Sequence, residues 1–175
     1  QAIAGWFQGR MEYGPRALGA RSIIADPRDP QNRDRVNLAI KFRESFRPFA
    51  PAVPEDAVGE WFEWDRSSRF MLFTAPTREP DKLPAIAHVD RSARLQTIPR
   101  ETNPLYYDLH RAFERRTGTP VLINTSFNVR GEPIVCTPHN AIDCFLGTHM
   151  DTLVIGPSIV EKAEVSKDQL KIEHR

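Results

Sequence analysis

The sequence contains few cysteines and histidines, and this scarcity excludes several classes of metal-binding and disulfide-stabilised protein. Cys136 and Cys144 are the two cysteines among 175 residues, and their separation matches neither a zinc-ligand spacing nor a disulfide framework. The five histidines are scattered, and none forms a His-x-x-x-His pair. We therefore expect reduced thiols and a cytoplasmic location.

Long apolar runs and a large excess of charge are also absent. No apolar run approaches the roughly 20 residues that a membrane helix needs, and Arg10 and Glu12 come too early for a signal peptide. A formal net charge of +1 disfavours loose binding to polyanions, because such binding depends on the sum of many phosphate contacts. The sequence lacks an initiating methionine, and its first residues read as a strand. We expect it to be cut from a larger protein whose other part lies upstream.

The composition that is present predicts one folded domain. Hydrophobic residues make up 40% of the sequence and charged residues 27%, so the sequence can form a core. Strand-like and helix-like segments intermix, which predicts an α/β (α+β) sheet over residues 1–161, and a charged tail over 162–175 that frays. Prolines at 48, 51 and 54 are expected to break regular structure. The predicted strands are 2–7, 22–26, 69–75, 88–98, 120–124, 133–136, 153–156 and 158–161, and the predicted helices are 30–42, 104–116 and 137–149.

The most informative feature is a local concentration of cations within a nearly neutral sequence. Residues 9–47 contain nine of them: Arg10, Arg16, Arg21, Arg28, Arg33, Arg35, Lys41, Arg43 and Arg47. Because acidic residues balance them elsewhere, we expect a concave site for a compact anion. Arginine suits such a site, since its planar fork binds phosphate or carboxylate in a bidentate way.

Two segments of this region are candidate anion-binding loops. Arg16 lies between Gly14-Pro15 and Gly19, and rigid Gly/Pro loops commonly hold phosphates; the alternative is a solvated surface turn. Lys41 lies in the last turn of the predicted first helix, and Arg43 and Arg47 follow that helix. If the chain becomes extended near Arg43, the three could together bind a di- or triphosphate. The alternative there is a solvated helix end whose basic residues complement the helix dipole.

A third candidate loop follows the predicted strand 120–124. Asn124, Ser126 and Asn128 could bind phosphate or ribose oxygens, and Arg130 adds charge. Asn and Ser also cap turns without any ligand, and that alternative stays open. On the strand predicted over 88–98, Arg94 is our candidate ligand residue.

Three longer motifs stand out in the sequence: residues 9–22 (GRMEYGPRALGARS), 40–51 (IKFRESFRPFAP) and 124–135 (NTSFNVRGEPIV). Together they resemble the C-terminal domain of the O-carbamoyltransferases, a family that includes nodulation-factor, cephamycin and aminoglycoside carbamoyltransferases. The resemblance runs over nearly the whole sequence. It implies a YrdC/Sua5-like twisted open mixed sheet with flanking helices and a concave basic cavity. The K-x-R signature of that fold matches residues 41–43, and its S-x-N signature matches residues 126–128.

The resemblance also implies a reaction and its cofactors. The domain would convert ATP, with Mg²⁺, and carbamoyl phosphate into carbamoyl adenylate, and Asp26 is a weak candidate ligand for the Mg²⁺. An upstream Kae1-like domain, absent from this sequence, would hold iron and transfer the carbamoyl group to an acceptor hydroxyl. We take Lys41, Arg43, Ser126 and Asn128 as the candidate catalytic residues. The candidate ATP- and phosphate-binding residues are Arg16, Arg47, Arg94, Asn124 and Arg130; no protein metal site is expected in this sequence.

Two other functions remain open from the sequence. YrdC-like domains carry a basic concave surface, so the chain could instead be a double-stranded RNA- or nucleotide-binding module; the low net charge disfavours nucleic acid. Alternatively, the domain could be inert without the upstream domain.

Overall fold

The computed structural model describes residues 2–41 and 49–172, and within them eight strands form one open, mixed sheet. The strands are β1 (Ala4–Phe7), β2 (Arg21–Ala25), β3 (Ala50–Pro54), β4 (Phe73–Pro76), β5 (Ser92–Ile98), β6 (Leu122–Ser126), β7 (Thr152–Ile155) and β8 (Ser158–Glu161). Their order across the sheet is β4-β5-β3-β6-β2-β1-β7-β8. The β3–β5 and β1–β7 pairs are parallel, and the other pairs are antiparallel. This architecture confirms the predicted α/β class with an open mixed sheet.

Helices cover both faces of the sheet. They are α1 (Gln31–Ala39), α2 (Val58–Trp61), α3 (Pro104–Thr117) and α4 (Pro138–Leu146). The predicted signals of α3 are confirmed, because the Asn103 side chain accepts a hydrogen bond from the Tyr106 N–H and Gly118 ends the helix in the left-handed conformation. A capping box between Thr137 and Asn140 begins α4. Even α3, with 14 residues, is too short to cross a membrane, and no other described helix could do so.

The two faces of the sheet have separate cores. Side chains of α1, α2 and α4 pack with Ile23, Ile123 and Leu95 on one face. On the other face, Tyr106 of α3 packs with a smaller group that includes Leu122. Alternate residues of a strand share a face, so Asn124 and Ser126 lie on the Leu122 face, beyond the part that α3 covers. This leaves a polar area at the C-terminal end of β6.

The structure corrects several predicted elements. β3 was missed because its two prolines cannot donate to a ladder; it pairs with β6 through residues 50–52 and with β5 through residues 52–54, so each proline lies in one ladder only. The strand predicted at 133–136 is wrong, and a single hydrogen bond from Val135 N to Phe127 O (2.9 Å) replaces it. β4 and β5 begin later than predicted because Met71 and Arg91 adopt positive φ angles in the preceding turns.

The charged segment after β8 contacts the rest of the domain. It forms two short 3₁₀ turns, Lys162–Glu164 and Lys167–Gln169. The Lys171 N–H donates to the carbonyl oxygen of Leu146 (3.1 Å) at the end of α4. The described part of the tail is therefore packed on the domain in this structure, and its fraying stays a prediction.

Candidate functional site

A small pocket occupies the polar area beyond α3. Its volume is about 100 Å³. Arg16 from the 9–20 loop, Arg94 from β5, and Asn124 and Ser126 from the end of β6 all line it. The other lining residues are Pro15, Ala17, Phe49, Ala50, Met71 and Thr125. The fold thus brings together four of the predicted site residues from distant parts of the sequence; their role in binding remains a prediction.

The pocket carries positive charge that is not neutralised by the described residues. Burial lowers the pKa of Arg94, and the nearby charge of Arg16 lowers it further. Within residues 2–41 and 49–172, neither guanidinium takes part in an ion pair. An anion bound between the two guanidinium groups would offset both the desolvation of Arg94 and its repulsion by Arg16. The arrangement is therefore suited to a compact anion such as a phosphate group.

The backbone of the loop that carries Arg16 is held from several sides. The Ala17 carbonyl accepts a hydrogen bond from Asn124 Nδ2 (3.1 Å), and the Leu18 carbonyl accepts one from Gln96 Nε2 (3.0 Å). The Gly19 carbonyl accepts one from the Trp6 indole (2.9 Å). Since Asn124 Nδ2 also donates to Gln96 Oε1 (2.5 Å), its amide nitrogen is engaged with the protein. Asn124 therefore supports the loop in this structure.

Gly19 is required by its backbone and by its neighbour. Its φ of +111° is unfavourable for any residue with a side chain. A Cβ at this position would lie 2.3 Å from Cδ1 of Tyr106, which is fully buried. The loop can therefore approach α3 this closely only with glycine here.

A buried ammonium group holds the turn that follows β6. Lys41 is 5% exposed, and its Nζ donates to the carbonyl oxygen of Ser126, to the carbonyl oxygen of Asn128 (2.9 Å) and to Asn128 Oδ1 (2.7 Å). Ser126 Oγ lies 3.2 Å from Nζ and donates to Asn128 Oδ1 at 2.7 Å. Lys41, Ser126 and Asn128 thus meet at one point, next to the pocket that Ser126 lines. Arg43 and Arg47 lie outside the described residues.

Arg130 lies on a different and larger cavity. This cavity, of about 1010 Å³, lies between the 129–136 loop and α4, and Arg130, Glu132, Cys136 and Asp143 are among its lining residues. Arg130 is exposed and does not line the Arg16–Arg94 pocket. Burial raises the pKa of the Cys144 thiol, which also lines the larger cavity, to about 12.

The sequence reasoning missed two residues that shape the site. Gln96 links β5 to β6 and to the loop, and its position two residues after Arg94, on the same face of the strand, was the available signal. Glu12 accepts hydrogen bonds from the Leu18 and Ala20 N–H groups, both at 2.7 Å. It is the only acidic residue in the Gly- and Arg-rich motif at 9–22, and this isolation could have identified it.

Arg21 has a structural role. It is 4% exposed, and its guanidinium donates to the carbonyl oxygens of Gln8 (2.9 Å), Ala20 (2.9 Å) and Gly9 (3.0 Å) while it stacks over the Phe7 ring. These contacts fix the start of β2 beneath the loop.

Arg16 and Arg94 line the small pocket, and no carboxylate among the described residues joins them there. Asp26, the candidate from the sequence, pairs with Arg28 (Nη2 to Oδ2, 2.7 Å) at the opposite end of β2. No group of three or more His, Cys, Asp or Glu side chains within the described residues could hold a metal ion.

The sequence is similar to those of known proteins from one family. A family model described as "Carbamoyltransferase C-terminus" matches residues 1–162. The chain is 52% identical over 170 residues to nodulation protein NolO of Bradyrhizobium diazoefficiens, a match that covers 94% of this chain and 31% of that protein. It is 38% identical over 162 residues to 3′-hydroxymethylcephem-O-carbamoyltransferase of Amycolatopsis lactamdurans, covering 93% of this chain and 31% of that enzyme. The chain therefore spans about a third of the length of these curated relatives.

Proposed function

We propose a function for this chain from one premise, which is that it belongs to the carbamoyltransferase C-terminal family. In this proposal, the chain binds MgATP and carbamoyl phosphate and forms carbamoyl adenylate. A further domain, for which the greater length of the relatives leaves room, then transfers the carbamoyl group to an acceptor hydroxyl. Because ATP is a substrate, we place the reaction in the cytoplasm.

The observation that carries the proposal is the pair of arginines at the small pocket. Arg16 and Arg94 lie close enough for the charge of one to lower the pKa of the other. A protein gains no stability from two like charges in a partly buried site, so their arrangement is explained best by an anionic ligand. A volume of about 100 Å³ suits one phosphate or carbamoyl phosphate group. The rest of a nucleotide would extend out of the pocket, towards the Lys41–Asn128 turn.

The proposed chemistry balances in two steps. Water cleaves carbamoyl phosphate to carbamate and phosphate, and a carbamate oxygen then attacks the α-phosphorus of ATP and displaces pyrophosphate. Carbamate is already anionic, so no side chain has to act as a general base for the second step. In the transition state, negative charge spreads over the phosphoryl oxygens, and fixed cations stabilise it without reorganising.

The residues of this chain would act mainly by position and charge. Arg16 and Arg94 would bind the phosphate oxygens. Lys41 would keep the turn of Ser126 and Asn128 in place, so that the Ser126 hydroxyl and the Asn128 amide are presented to the nucleotide. Such prior positioning lowers the entropic part of the barrier.

The proposal is tested by isotope exchange between pyrophosphate and ATP. We expect the purified chain to catalyse this exchange only when carbamoyl phosphate is present, and we expect Arg94→Met to abolish it. Arg116→Met is a matched control, since Arg116 is an exposed arginine near the C-terminal end of α3. Exchange that does not depend on carbamoyl phosphate would contradict the proposal. So would tight binding of short double-stranded RNA together with no nucleotide binding.

A further inference from the structure

The Glu12 side chain accepts hydrogen bonds from the backbone of the 9–20 loop, which carries Arg16. Its Oε1 accepts hydrogen bonds from the N–H groups of Leu18 and Ala20, both at 2.7 Å, and lies 3.4 Å from the N–H of Arg21. The carboxylate therefore crosses the loop and ties its first part to its last part. Hydrogen bonds to an ionised acceptor are shorter and stronger than those between neutral groups.

Several other backbone groups of the loop are engaged by side chains of the sheet strands. The Ala17 and Leu18 carbonyls bind the amide nitrogens of Asn124 and Gln96, and the Gly19 N–H donates to Ser22 Oγ (3.1 Å). Without Glu12, the Leu18 and Ala20 N–H groups would lose their acceptor within a partly buried loop. An unsatisfied group of this kind is costly, so the loop would rearrange.

The rearrangement would move Arg16. Arg16 lies directly before Ala17, so its backbone position follows from the bonds that hold residues 17–20. Its side chain is exposed and is placed on the pocket by this backbone. Glu12 is also the only acidic residue of the motif, and its engagement with two or three N–H groups reduces the repulsion of an anion by its charge.

We infer that Glu12 is a positioning residue, whose carboxylate fixes the loop so that the Arg16 guanidinium faces Arg94 across the anion pocket. This inference rests on the proposed function, which supplies the anion that the pocket binds. Glu12 acts through Arg16 and does not touch the ligand.

A double-mutant cycle measured by calorimetry tests this role, with inorganic pyrophosphate and carbamoyl phosphate as separate probes. We expect Glu12→Ala and Arg16→Met each to weaken binding at least about tenfold, which corresponds to about 1.4 kcal/mol. The double variant should bind no more weakly than Arg16→Met alone, because Glu12 has nothing left to position. Glu12→Gln retains an acceptor oxygen, so its dissociation constant for each probe should stay within about threefold of that of the unmodified chain. Glu60→Ala, at an exposed position of α2, is the matched control and should bind normally.

Amide hydrogen exchange supplies a readout that depends on the loop itself. We expect faster exchange at Leu18 and Ala20 in Glu12→Ala and near-normal exchange in Glu12→Gln. If Glu12→Ala does not fold, Glu12→Asp replaces it, because the shorter side chain should lose one of the two bonds.

Three results would overturn the inference. They are unchanged affinity in Glu12→Ala, losses that multiply in the double variant, and an unmodified chain that binds neither probe. Pyrophosphate binding without carbamoyl phosphate-dependent exchange would refute the proposed reaction alone, and the cycle would still decide the role of Glu12.

Discussion

Arg94→Met should separate the stability of this domain from its ability to bind an anion. The guanidinium of Arg94 is partly desolvated and faces the charge of Arg16, and both effects lower its pKa. The folded state therefore disfavours this charge. Methionine keeps much of the side-chain stem, which can still pack in the pocket. Without a ligand, we expect the melting temperature of Arg94→Met to equal or exceed that of the unmodified chain.

With a ligand, the order should reverse. A ligand at 100 times its dissociation constant stabilises the folded state by about 2.7 kcal/mol, which raises the melting temperature of a domain of this size by about 5–10 °C. Removal of one charged contact to a phosphate oxygen costs about 2–4 kcal/mol, by analogy with oxyanion-hole donors, or about 30- to 700-fold in affinity. At the same ligand concentration, Arg94→Met should then gain less than about 1 kcal/mol.

The assay is thermal unfolding with and without pyrophosphate, and calorimetry supplies the affinities. Arg116→Met should keep the full ligand-dependent shift. The reasoning is refuted if Arg94→Met retains that shift. It is also refuted if Arg94→Met melts well below the unmodified chain without ligand, since Arg94 would then be a structural residue.

Three further predictions concern Gly19, the buried His110 and the two cysteines. Gly19→Ala should destabilise the domain by about 2–4 kcal/mol, because it combines a strained φ with overlap on the Tyr106 ring; denaturant unfolding measures this, and a loss below 1 kcal/mol would show that the loop can shift. Burial lowers the pKa of His110 from 6.5 to about 4. Between these pH values the imidazole is therefore mostly protonated in the unfolded chain and mostly neutral in the folded chain. Stability should therefore fall by up to about 3 kcal/mol from pH 6.5 to pH 4, and His110→Asn should flatten this dependence. Near pH 8, a thiol reagent should modify the exposed Cys136 and spare Cys144, whose pKa is about 12; rapid labelling of both would contradict the burial of Cys144.

The sequence predicted the segments whose local signals agree with the fold. α3 has its cap, its helical spacing and its terminal glycine in order, and it forms as predicted. β3 could not be predicted in this way. Its residues satisfy one ladder on each side, and this arrangement depends on neighbours that lie about 40 and 70 positions away in the sequence.

The sequence likewise predicted part of the candidate site but not its supporting contacts. Charge and loop chemistry identified Arg16, Arg94 and Ser126, which meet at one pocket. The same reasoning placed Arg130 with them because it is close in sequence, but the chain turns after Asn128 and carries Arg130 to the larger cavity. The supporting contacts of Glu12 and Gln96 are tertiary, so residue type alone does not reveal them.

The short overlap of the two ladders of β3 has a mechanical consequence. β3 lies between β5 and β6, and Ala52 is the residue of β3 that pairs with both of them. One ladder therefore ends where the other begins, and we call this point of the sheet the seam. Arg94 belongs to one side of the seam, and Ser126 belongs to the other. The hydrogen bond that Asn124 Nδ2 donates to Gln96 Oε1 (2.5 Å) connects the two sides. A small change in the angle between the two halves of the sheet would thus widen or narrow the small pocket that Arg94 and Ser126 line.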